Sequence, residues 1–85
     1  MKQLVKVEEV ENEGLISMLE KNVLLFCGNY IYSGKLAGVN NEFVKLLDGG
    51  IVYETGPFNG KLKDFQKMPN AVYIQKNAIE SYTLL

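Results

Sequence analysis

The chain has 85 residues, room for one domain, and its 47% hydrophobic content supplies a core and excludes a disordered polymer. Net charge is −1 and all nine basic residues are lysine, so the guanidinium fork that favours phosphate and guanine is missing. With no histidine and one cysteine, the usual zinc ligand sets and the serine–histidine and cysteine–histidine nucleophile pairs are excluded.

Residues 1–13 are an acidic arm within a single domain spanning 1–85. Over residues 1–20 two lysines face five glutamates, whereas 21–85 carries seven lysines against five acids. Residues 1–12 mix apolar and charged positions in a way that suits either an extended arm or a frayed helix. Glu8, Glu9, Glu11 and Glu13 interrupt any signal-peptide pattern, and the apolar runs are too short to span a bilayer. The expected setting is cytoplasmic, with no membrane partner.

Leu15, Ile16, Met18 and Leu19 recur at helical spacing and predict a short α-helix over 14–21, lidding one end of a barrel. A barrel over 22–85 follows. Residues 23–27 form an apolar run read as a buried strand, in which Cys27 serves as a small hydrophobe. Gly28-Asn29 is a turn, and residues 30–40 are a long strand whose Gly34 and Gly38 predict a sharp bend or close backbone approach. After Asn40-Asn41, residues 43–47 and 51–55 are expected as two strands separated by a reversal at Asp48-Gly49-Gly50. Residues 56–70 are an insertion loop between Pro57 and Pro69, with room for one helical turn around Leu62, Phe65 and Gln66. Residues 71–75 and 78–84 close the chain as strands.

Catalytic chemistry is not expected, nor a cofactor or metal site. Gly-Lys at 34–35 and 60–61 lacks the upstream glycine and downstream hydroxyl of a phosphate-binding loop. Glu42, Asp48, Glu54 and Asp64 fall at predicted turns or strand ends, where carboxylates are ordinarily solvated.

From Tyr32 onward the spacing of Gly34, Leu36, Asn40, Phe43 and Leu47 resembles the first Sm motif. Residues 72–79, Val-Tyr-Ile-Gln-Lys-Asn-Ala-Ile, resemble the second, and Phe43-Val44-Lys45-Leu46-Leu47 resembles the third strand of Hfq, the bacterial Sm-like protein. The resemblance to the Sm-like family (Sm, Lsm and Hfq proteins) covers about residues 14–85. It implies a mainly β fold: a short N-terminal helix, then a strongly bent five-stranded antiparallel small barrel related to SH3-like and OB-like barrels. It also implies single-stranded RNA as a partner, with Asn40, Asn41, Phe43, Gln75, Lys76 and Asn77 at the site. The family's stacking aromatic, pocket asparagine and second-motif arginine are replaced here by Glu42, Val44 and Gln75. A glutamate repels phosphate, and valine cannot read a base edge. Phe43 suits either base stacking or core packing. Asn40, Gln75 and Asn77 suit either a base edge or a turn, and Lys76 either a phosphate or a solvated turn.

The last two strands carry little charge: 71–75 has none and 78–84 has only Glu80. Strand edges this poorly guarded invite pairing with another chain. Sm-like proteins pair such strands between copies, which implies a homo-oligomeric ring of roughly five to seven subunits. Val72, Tyr73, Ile74, Ile79, Tyr82 and Leu84 are its expected interface. Two alternatives stay open. One is a structural or protein-binding ring without the RNA pocket, contacting its partner through Phe58, Lys61, Lys63, Phe65 and Lys67 on the 56–70 loop. The other is a monomeric SH3-like adaptor barrel.

Overall fold

The computed structural model describes residues 13–85. Residues 1–12 of the acidic arm lie outside the described residues. A 3₁₀ turn, Ile16–Met18, leads into β1 (Asn22–Cys27), β2 (Ile31–Val39), β3 (Phe43–Glu54), β4 (Asp64–Lys67) and β5 (Val72–Gln75). A second 3₁₀ turn, Lys76–Ala78, precedes β6 (Ile79–Leu84). The strands make one strongly bent antiparallel sheet in the order β4-β3-β2-β1-β6, with β5 also paired to β3.

The α-helix expected over 14–21 is replaced by three residues of 3₁₀ turn. Sheet pairing claims its C-terminal end. The Glu20 amide donates to the Leu36 carbonyl at 2.7 Å, and the Leu36 amide donates to the Lys21 carbonyl at 2.9 Å. Glu20 takes a left-handed φ of 70° to make that entry, which leaves too few residues to repay helix nucleation. The apolar stripe still works as a lid: Leu15, Met18 and Leu19 pack on the core, while Ile16 is 69% exposed.

Two further expectations are corrected in the middle of the chain. Asp48-Gly49-Gly50 does not reverse the chain. It bends one continuous twelve-residue strand, β3. Gly34 of β2 lies against that bend, where a Cβ would come within 2.7 Å of the Gly49 Cα, so the two backbones touch where side chains would hold them apart. The turn-forming residues are the same ones a bulged bend requires. Residues 64–67, within the expected loop, are strand rather than helical turn, with Gly50 opposite Lys67 and Val52 opposite Phe65.

β4 and β5 run along the same neighbour. Gly50 pairs with Lys67 and Leu46 with Val72, so the register passes almost unbroken across residues 68–71. Pro69 has no amide to contribute to a ladder, and the strand is interrupted there. Six strands therefore stand where a five-stranded barrel was expected: residues 43–47 and 51–55 belong to one strand, and β4 is a strand within the expected loop, in line with β5 along β3.

Val23, Leu25, Leu36, Val44 and Leu46 are fully enclosed and, with Ile74, form the core. Leu24, on the other face of β1, is buried too, which is why 23–27 shows no polar alternation. Ser33, opposite Leu24, is buried and donates its hydroxyl to the Val23 carbonyl at 2.8 Å. Among the described residues, β6 pairs only with β1, and β4 and β5 pair only with β3. The sheet is open between β5 and β6.

Candidate nucleic-acid interface

The pairing of β3 with β5 brings the two motif-bearing segments side by side. Phe43 lies directly opposite Gln75, and the Lys76 amide donates to the Glu42 carbonyl at 2.8 Å. Asn40 and Asn41 therefore share one end of the sheet with Lys76 and Asn77 of the second 3₁₀ turn. Asn40 builds the loop: its Oδ1 accepts the Glu42 amide at 2.7 Å and the Phe43 amide at 2.8 Å, and its own amide donates to the Phe43 carbonyl at 3.0 Å. That side-chain oxygen closes an Asx-type turn, so of the two roles open to Asn40 the turn is the one seen. Replacing Asn40 by alanine leaves two amides without this acceptor and is expected to cost about 1 kcal/mol. Thermal unfolding should show a midpoint lowered by about 4–8 °C, with Asn40→Asp, which keeps an acceptor oxygen, close to the parent.

Strand alternation sorts the remaining residues. Val44 is fully buried in the core, so the position where the family carries a pocket asparagine faces inward here. Phe43, Lys45, Tyr73 and Gln75 project from the opposite face, by the pairings Phe43–Gln75 and Lys45–Tyr73. Phe43 is half-buried and meets Tyr73 edge to face, with ring centroids 5.3 Å apart and planes at 84°. The Lys45 ammonium lies over the Tyr73 ring, 5.8 Å from its centroid. Motif spacing gives Lys45 no role at the site and places Tyr73 at a subunit interface. Odd-numbered alternation along 43–47 and 71–75 marks both as outward once the two strands are known to pair.

The other expected interface residues share the core-facing side. Val72 and Ile79 are half-buried against the core, and Ile74 is buried in it, so Ile74 can offer a neighbour only its backbone. Tyr82 and Leu84 stand opposite Leu25 and Val23, on the face that makes the core, yet remain exposed at the open side of the sheet.

Cys27 is half-buried on the wall of a cavity of about 370 Å³ that Tyr30, Tyr32, Tyr73 and Gln75 also line. Burial pushes its thiol pKa up, and the Glu80 carboxylate adds to the shift, so the group stays protonated and weakly nucleophilic at neutral pH. The carboxylates are solvated. Glu54 pairs with Lys63 at 3.2 Å and Asp48 with Lys67 at 3.1 Å, all four side chains being exposed. On the 56–63 segment Phe58 is 71% exposed beside Leu24, Thr83, Leu84 and Leu85.

No protein-family model matches the chain, and no curated protein matches it either. Among solved structures it is similar to an Sm protein of Pyrococcus abyssii determined in complex with a uridine heptamer. The TM-score is 0.60 at 17% identity, over 82% of this chain and 90% of that one. The chain has an Sm-like fold.

Proposed function

We propose that this protein is a non-catalytic, ring-forming Sm-like protein of the cytoplasm that associates with single-stranded RNA. The observation that carries the RNA part is the meeting of two distant segments, Phe43 against Gln75 and the Lys76 amide on the Glu42 carbonyl. Their side chains combine an aromatic ring, amides and a cation, which is the chemistry of a single-strand site. The similar Sm protein, solved with a uridine heptamer, supports the choice of ligand.

Assembly is supported by the two open edges. β4 guards its own with Asp64 and Lys67, and Pro69 follows it, so strand addition falls on the uncharged β5. β6, bearing only Glu80, is the complementary strand on the next copy. Self-association of this kind buries the apolar side chains of Tyr82 and Leu84 and repeats a modest RNA site around a ring, where avidity raises the overall affinity.

Titration with oligouridylate and oligoadenylate tests the RNA part. Binding is expected at about 50 mM salt and should weaken steeply by about 200 mM. Lys76→Ala should shallow the plot of log affinity against log salt by about 0.7. No binding to either oligomer at the lower salt contradicts the RNA assignment.

One observation favours a second reading, a protein-binding ring: Phe58 is an exposed aromatic on a loop with no structural task for its ring. Deleting the whole loop cannot test this, because β4 lies within it. Loss of a captured partner on Phe58→Ser, with RNA affinity unchanged, is the result that would support it.

A further inference from the structure

We propose that the outer face of the β3–β5 ladder is a stacking platform for single-stranded RNA, with Tyr73 taking a nucleobase and Lys45 the adjoining phosphate. This rests on the RNA reading above and extends its path from the 40–43 and 75–77 segments onto the sheet.

Four side chains share this face by strand register: Phe43 and Lys45 from β3, Tyr73 and Gln75 from β5. Tyr73 is 58% exposed on a ladder whose other face is sealed by Val44, Leu46 and Ile74. Phe43 meets it edge to face with ring centroids 5.3 Å apart, so the phenol has a packed neighbour on this face. A ring packed in this way loses little freedom when a base stacks on it. Lys45 lies over one face of the ring, 5.8 Å from its centroid; a base stacking there displaces the ammonium, which is then within reach of the phosphate that follows.

Charge also favours this face over the loop alone. The 40–43 loop carries Glu42, which opposes a phosphate, whereas Lys45 is the charged side chain among the four on the platform. Gln75 borders both areas and offers donor and acceptor atoms to a base edge. A strand of RNA can thus keep its bases over Tyr73 and Phe43 while its backbone follows Lys45 and Lys76.

The test uses the full chain with a short oligouridylate containing 4-thiouridine, photocrosslinked and mapped by peptide mass spectrometry. Affinities of four variants, Tyr73→Leu, Tyr73→Phe, Lys45→Gln and Lys76→Ala, are measured alongside. Crosslinking to Tyr73 is expected, with affinity about tenfold weaker for Tyr73→Leu and near parental for Tyr73→Phe. Lys45→Gln should shallow the salt dependence by about 0.7. If Tyr73→Leu binds like the parent and crosslinks fall only in 40–43 and 75–77, the platform is overturned and the RNA reading stands. If the parent protein binds no oligouridylate at low salt, both fall together. If Tyr73→Leu alters the solution mass, the crosslink on the parent decides. An unlabelled Tyr73 then makes this face a contact between copies and overturns the proposal.

Discussion

Gly34→Val should lose about 3 kcal/mol of folding stability, a large share of what so small a domain has. The first added carbon already stands 2.7 Å from the Gly49 Cα and 3.1 Å from the Leu46 Cβ, before the two methyl groups are counted. What it strikes is backbone, which cannot rotate away. Relief requires β2 and β3 to separate at the bend that lets one sheet curl around the core. Separation there also opens the Leu36–Leu46 pair next to it, both side chains being fully buried. Gly38→Ala is the internal control. Its Cβ would meet only the Lys45 Cβ, at 3.8 Å, an ordinary contact, so stability should stay within about 0.5 kcal/mol of the parent or rise slightly. Urea unfolding of the two variants separates the outcomes. A Gly34→Val protein with the parental midpoint would mean that the close approach at the bend is not what shapes the sheet.

The second large effect concerns assembly. Changing both Tyr82 and Leu84 to lysine should reduce the particle to a single 9.6 kDa chain while leaving its fold intact. Both side chains lie on the core-facing side of β6 but are exposed in the isolated chain, so each lysine can remain in water there. Against a second copy the same ammonium groups would be buried beside an apolar seam without partners, which costs several kcal/mol per subunit contact. Inward-pointing charge on an edge strand is how natural sheets prevent such pairing. Circular dichroism together with light scattering reads both halves of this expectation. An assembly that keeps its mass with both lysines present would show that β6 is not the joining strand.

How far the sequence discloses this molecule depends on the range of the interactions involved. β1 and β2 are legible because burial and pleat are local. Residues 23–27 are uniformly apolar, and Gly34 sits where no side chain fits. The segment 14–21 carries a helical stripe, but its backbone is captured by Leu36, sixteen residues beyond Glu20, and no local pattern announces that. Asp48-Gly49-Gly50 is ambiguous by chemistry, since a reversal and a bulged bend ask for the same residues. β4 escapes notice because Asp64-Phe65-Gln66-Lys67 has one apolar residue, and its strand character comes wholly from pairing with β3.

The candidate site divides in the same way. Motif spacing gathers Asn40, Asn41, Phe43, Gln75, Lys76 and Asn77 into two segments, and the fold sets those segments side by side. What each side chain can do is decided by the face it occupies. Val44 turns inward, Asn40 is engaged by its own loop, and Tyr73 with Lys45 comes to the front. None of this can be read until β3 and β5 are known to pair, with Lys45 opposite Tyr73.

Sedimentation equilibrium of the unmodified protein over a wide concentration range tests the central claim most directly, that β5 of one chain receives β6 of the next. A closed assembly of roughly five to seven chains, its mass unchanged on dilution, is the expected result. A particle of 9.6 kDa at every concentration would contradict it.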